Sequence, residues 1–326
     1  MLSMVIPMIL NRHYDLYISS CCDDGGIYHC TLDRNGEIKI AEKAEIKKPM
    51  YTVINGNKLY TVLRRPFDDS SHSGIMSFDI INGLLCHPSG IISTKGDIGC
   101  HLCVHNEEIY AANYMSGSII RLPDLLVKHC GKSINTERQE SAHAHCVMVT
   151  PDEKYILAAD LGVDKIITYD TDLNYVCEVS ARLGSGPRHL AFSKDGSYVF
   201  CVNEMASSVT MYQYTDGRLS FVDEKSTLFD NTKSENTAAA IKVSNGKVYA
   251  SNRGDDSIAV FSYAETGLRL ENVFGVYGKS PRDFEIIDNV LLSANERSDS
   301  VAIFDLVTKK QIGKLDIKNP VCVSYI

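Results

Sequence analysis

Five segments of the chain share one pattern. An apolar run ends in a polar residue, a short polar turn follows, and then a small residue leads into alternating apolar and polar positions. They read YAANYMSGSIIRL, LAADLGVDKIITYD, FCVNEMASSVTMYQY, YASNRGDDSIAVFSY and LSANERSDSVAIFDL. The polar anchors Asn113, Asp160, Asn203, Asn252 and Asn295 lie 47, 43, 49 and 43 residues apart. The same interval carried towards the N-terminus reaches YTVLRRPFDDSSHSGIMSFDI near Leu63 and YISSCCDDGGIYHCTL near Cys21, which makes seven units. Alternation at period two predicts strands, where a helical repeat would show apolar residues at 3.6 spacing. Short strands repeating every 40 to 50 residues or so predict a β-propeller whose blades are four-stranded sheets.

Each unit reads in one order: an entry strand such as RHLAFS, a turn such as KDGS, a second strand YVFCVNE, a third SSVTMYQY and a weaker fourth such as LSFVDE. Asp195-Gly196 and Asn245-Gly246 supply the residues expected of tight turns between the first two antiparallel strands. The first unit starts directly on a second strand, DLYISSCC, whereas the C-terminal KNPVCVSYI resembles an entry strand with nothing after it. The C-terminus is therefore expected to supply the missing innermost strand of the N-terminal blade, which closes the ring and leaves no open inner edge. The fold expected is all-β, one seven-bladed propeller over residues 1–326 with antiparallel four-stranded blades, and residues 1–13 forming a loose extension.

Composition narrows the function classes. Hydrophobic residues make up 44% of the chain and charged residues 23%, enough for a sizeable core. A formal net charge of -8 without a lysine-arginine run argues against nucleic acid or an anionic membrane as the main partner. An anionic ligand would then have to be held by local arginines. The apolar opening MLSMVIPMIL lacks a basic flank and a small-residue cleavage site, so no signal peptide is expected. No stretch approaches the roughly 18 consecutive apolar residues of a membrane span. Eleven cysteines, odd in number and scattered, do not form a disulfide framework and fit a reducing cytoplasm. Cys100-His101-Leu102-Cys103-Val104-His105 offers zinc-ligand types, but no second pair lies at a suitable spacing, so neither metal nor cofactor is expected.

In a propeller the first strand of each blade lines the channel and the second runs back beside it, so the start of one and the end of the other meet at one mouth. That places Arg188 near Glu204, His101 near Asn113, His143 and His145 near Asp160, and Arg282 near Glu296, with Asn203 and Arg253 also ending second strands. Convergence of these groups from several blades predicts a ligand site. A dinucleotide fingerprint, a Walker loop and a nucleophile elbow are all missing. Strict alternation turns His189 away from Arg188 and makes it structural, and turns Cys146 into the core.

HAHCVMVTPDEKYILAADLGVDKIITYD, GPRHLAFSKDGSYVFCVNE, VYASNRGDDSIAVF and SPRDFEIIDNVLLSANERSDSVAIF resemble the lactonase family of seven-bladed propellers, which includes bacterial 6-phosphogluconolactonase and a fungal muconate lactonizing enzyme. The resemblance covers nearly the whole chain and is strongest from about residue 98 to 305. It implies catalytic roles for His145, six residues before Pro151, for Arg188 at the next blade's entry, for Glu204 at the end of that blade's second strand, and for Arg253 in Ser-Asn-Arg. His101, Asn113, His143, Asp160, Asn203, Arg282 and Glu296 are the expected substrate-binding set. The chain departs from bacterial members in reading Ala240-Ile241-Lys242 where Glu-Ile-His is usual, and in ending its second unit on Leu63-Arg64. The activity implied is hydrolysis of an anionic sugar lactone such as 6-phosphogluconolactone. The alternatives are a muconate-type cycloisomerase using the same residues and a non-catalytic propeller that binds a protein or small ligand.

Overall fold

Side chains at period two present one row to each face of a strand, so the alternating segments can be apolar on both faces and still stack between neighbours. In the computed structural model, which describes residues 10–229 and 235–326, these strands gather into seven antiparallel sheets. The innermost strands are Pro320–Tyr325, Pro49–Asn55, Gly99–His105, Ala144–Val149, Pro187–Phe192, Thr237–Ser244 and Pro281–Ile287, for blades 1 to 7 in turn. Each packs against the next and the last against the first, which closes a ring around a central channel. The apolar faces meet between blades, as where Phe200 and Val202 of blade 5 pack on Val248 and Phe261 of blade 6. The fold is the all-β seven-bladed propeller expected.

Closure is as the two chain ends suggest. Pro320–Tyr325 pairs with Tyr14–Ser20, aligning Leu16 with Tyr325 and Ile18 with Val323, so blade 1 is built from both ends of the chain. Leu10 is buried against Leu16, Ile18 and Val323, and Asn11 bonds Asp288 through its backbone and side-chain nitrogens. Residues 1–9, where the expected extension starts, lie outside the described residues. Blade 2 differs from the rest: its third strand, His72–Ile81, pairs with both Leu84–Cys86 and Ile92–Asp97, so two short strands share the outermost position. Asn245 and Gly246 both have positive φ, 51° and 70°, as the tight turn between their strands requires. All eleven cysteines are free thiols.

The recurring asparagines have a structural task. The side-chain nitrogens of Asn113, Asn203 and Asn252 donate to Ser118, Ser208 and Ser257 at 3.2, 2.9 and 3.2 Å, tying the end of each second strand to the start of the third. This contact accounts for the recurring asparagine and serine in blades 3, 5 and 6; in blade 7 the Oδ1 of Asn295 instead accepts from Ser293 Oγ at 2.9 Å.

One irregularity governs everything at the channel mouth. Every innermost strand carries a β-bulge near its start, where one extra residue stands against the partner strand: Val321, Met50, Cys100, His145, Arg188 and Arg282 in blades 1 to 5 and 7. In blade 6, Ala239 and Ala240 stand opposite Ser251 alone. A bulge bends the strand and re-aims its side chains, so alternation fails at this height.

Candidate active site at the arginine-rich mouth

Two rings of positions build the mouth. The bulged residues form one, and the residues that end or directly follow the second strands form the other: Cys21, Arg64, Tyr114, Leu161, Glu204, Arg253 and Glu296. Glu204 is 4% exposed and sits at the centre of the charge network. Its Oε2 accepts from Arg188 Nε at 3.0 Å and pairs with Arg253 Nη2 at 2.9 Å, while Oε1 accepts from Arg138 Nη2 at 2.7 Å. Burial would raise the pKa of this carboxyl, but Arg253 and Arg188, helped by His145 and Arg138, hold it well below the usual carboxylate range. Arg188 is 2% exposed, and burial together with Arg253 lowers its pKa to about 10, so it is still a cation at neutral pH. Its Nη1 also donates to the Ala239 carbonyl at 2.7 Å, which fixes the guanidinium across blades 5 and 6. Arg253 Nε is buried and has no partner among the described residues.

His145 is 5% exposed, its ring edge-on to Tyr114 at 5.5 Å and its Nδ1 3.8 Å from the Cys100 thiol. Burial and then Arg188 push its pKa well below the ordinary imidazole value, with Glu204 opposing them. The imidazole is therefore neutral at physiological pH. The placing of His189 corrects the reading from alternation: its Nε2 lies 3.2 Å from Arg188 Nη1. The bulge at Arg188 removes the half-turn that would have separated the two side chains. His189 joins His101 and Tyr51 in a cluster of rings, with centroids 5.1 Å apart for the two histidines and 4.3 Å for His101 on Tyr51. Burial, then Arg188 and Lys242, pushes the His101 pKa down to about 3. These rings line a cavity of about 330 Å³ that continues past Val53, Phe192 and Val243 at the far halves of the innermost strands. Lys242, which stands in the unit that departs from the family pattern, pairs there with Glu285 at 2.7 Å. Cys146 is fully buried in the apolar cluster between blades 4 and 5, as expected.

The other expected residues divide into two groups. Arg282 and Glu296 stand on the rings, with Arg282 Nη1 at 3.3 Å from Glu296 Oε2. Asn113, Asn203 and Asp160 are fully buried and turned into the blades. Asp160 accepts the backbone N–H groups of His143 and Gly162 at 2.7 and 2.9 Å and lies 2.6 Å from His129 Nδ1, so it shapes the loop that carries His143. His143 stacks on Tyr114 at 4.5 Å and donates from Nδ1 to the Tyr114 carbonyl at 3.0 Å.

Sequence reasoning missed Arg138, Tyr114 and Arg64. Arg138 comes from the connection between blades 3 and 4, outside the repeat, and nothing local marks it. Tyr114 and Arg64 occupy the position that holds Glu204 and Arg253 in later units, so the repeat register could have found them. Beside Glu204, a cavity of about 590 Å³ is lined by Arg138, Thr237, Arg253 and Arg297. That size lies in the range of about 300 to 1,000 Å³ typical of small-molecule sites. Among the described residues, six arginines, at 64, 138, 188, 253, 282 and 297, outnumber the three glutamates 204, 235 and 296, so the mouth is cationic in a protein of net charge -8.

Comparison with known proteins yields one family model, described as a seven-bladed β-propeller lactonase, which matches residues 15–325. An uncharacterized protein of Staphylococcus epidermidis is 33% identical over 323 residues, covering 90% of this chain and 92% of its own. Among solved structures, a Bacteroides fragilis protein provisionally assigned as a 6-phosphogluconolactonase superposes with a TM-score of 0.86 at 27% identity, covering 97% of this chain and 98% of that one. The periplasmic gluconolactonase of Pseudomonas aeruginosa shares the fold with a TM-score of 0.87 at 23% identity, covering 96% of this chain and 99% of its own.

Proposed function

The chain belongs to the lactonase family of seven-bladed β-propellers, and on that premise we propose that it hydrolyses an anionic sugar lactone of the 6-phosphogluconolactone type. The observation that carries this reading is the surplus of guanidinium groups around Glu204. A carboxylate held by Arg138, Arg188 and Arg253 is too well satisfied to attract further cations, and the remaining donors suit an oxyanion.

In the proposed reaction a water attacks the lactone carbonyl. Arg188 and the unpartnered Nε of Arg253 stabilise the oxyanion that forms, a role that costs no reorganisation because both groups are already fixed by Glu204. His145, neutral and unprotonated, accepts the proton of the attacking water. Collapse of the tetrahedral intermediate breaks the ring C–O bond, and the leaving alkoxide takes that proton back from His145. Glu204 is ionised but occupied, so its role is to orient the arginines.

The test is a panel of lactones given to the purified protein: phosphogluconolactone, uncharged gluconolactone and a muconate-type lactone. The expected result is turnover above the spontaneous rate, fastest for the phosphorylated sugar lactone. Failure to accelerate any of the three removes the reading.

A further inference from the structure

Arg64 follows the second strand of blade 2 at the ring position that holds Glu204, Arg253 and Glu296 in blades 5, 6 and 7. Its guanidinium has no hydrogen-bond or ion-pair partner among the described residues, and its Nε is buried. The innermost strands of blades 7 and 2 both pack on Pro320–Tyr325, which sets the two arginines on the same side of the mouth, and burial and then the charge of Arg282 push the Arg64 pKa down. Arg282 is better compensated, since Glu296 and then Glu204 raise its pKa against the effect of burial, but its hydrogen bonding is loose. Its Nη1 reaches Glu296 only at 3.3 and 3.5 Å, and its Nε is also buried with no partner among the described residues.

Blade 1, which lies between them, offers no compensation. It contributes Val321 and Cys21 at the two ring positions, and burial pushes the Cys21 thiol up, so it stays neutral. Glu204, whose charge also acts on Arg282, is already shared by three arginines. A partly buried Arg64 without a carboxylate of its own, beside an Arg282 whose glutamate is loosely bonded, is costly unless an anion completes the site.

We propose that Arg64 and Arg282 form a second oxyanion subsite, on the side of the mouth built by blades 7, 1 and 2, which takes the phosphate or carboxylate that the substrate carries away from its ester group. The inference rests on the lactone-hydrolase reading for its substrate, and it divides the labour among the arginines. Arg188 and Arg253 face the carbonyl; Arg64 and Arg282 hold the remote anion, where the fork of a guanidinium matches two oxygens at once.

Arg64→Gln is compared with the wild type in three ways. Initial rates are measured on phosphogluconolactone and uncharged gluconolactone, binding of inorganic phosphate and of succinate is measured by calorimetry, and melting is followed without any added anion. The ratio of kcat/KM for the phosphorylated over the uncharged lactone should fall roughly ten- to hundredfold, the loss of one charge-assisted contact, and mainly through KM. Phosphate or succinate binding should weaken by a similar factor, and whichever anion binds wild type more tightly identifies the group the subsite takes. The variant should melt higher than wild type in the absence of anion, because an uncompensated charge is gone. Arg64→Lys should recover part of the selectivity. An unchanged selectivity ratio, or anion binding equal to that of wild type, overturns the subsite. If the wild type turns over no lactone, the lactonase reading fails alone, and the calorimetry still decides the subsite.

Discussion

His145 shows how the site trades charge for reactivity. A buried imidazole beside Arg188 loses its protonated form, so the base proposed is ready at all ordinary pH but weak. In the proposed reaction a lactone ester needs no strong base, because the guanidiniums would carry the larger share of the stabilisation. The sign of the pH dependence follows. The active, unprotonated form is present above the pKa of His145, and that pKa lies well below 6.5. With an uncharged lactone, which brings no phosphate titration of its own, kcat/KM corrected for spontaneous hydrolysis should stay flat between about pH 5 and 8. A limb centred near pH 6.5 would show instead an imidazole with an ordinary environment, and would move the base to another residue.

At the scale of the strand, two devices recur: the asparagine lock and the bulge. Asn252 is the most heavily used lock. Its Oδ1 accepts from Thr227 Oγ1 at 2.6 Å and Asn236 Nδ2 at 3.0 Å, and its Nδ2 donates to the Thr227 carbonyl and to Ser257. Asn252→Ala should lower the unfolding free energy by about 2 to 3 kcal/mol, because several fully buried groups lose partners at once. Urea denaturation measures it, and a change under about 0.5 kcal/mol would mean that the cavity rehydrates freely. The locks were legible in the sequence, since the asparagine and its serine recur five positions apart from unit to unit, and so was the closing strand, since Pro320–Tyr325 reads as an entry strand. The pairing of Arg188 with Glu204 followed from strand order alone. The bulge was not legible: it leaves no residue type behind, and without it alternation sends His189 to the wrong side. Arg138 was hidden for a different reason, because a loop outside the repeat has no register to place it.

Seen as a whole, the molecule sets a cationic mouth in an acidic body, and the ring is what allows it. Guanidiniums contributed by blades 2, 5, 6 and 7, and by the connection after blade 3, converge only because Pro320–Tyr325 closes the circle on Tyr14–Ser20. Such local potential draws anions in while the net charge of -8 keeps the rest of the surface soluble. The central claim is that this mouth opens anionic lactones, and the rate of phosphogluconolactone hydrolysis by the wild type and by Arg188→Gln/Arg253→Gln at neutral pH tests it most directly. The wild type should far exceed the spontaneous rate, and the double variant should lose at least about a hundredfold, the usual cost of removing oxyanion donors. A wild-type rate equal to that of buffer, or a double variant as fast as wild type, would contradict the account.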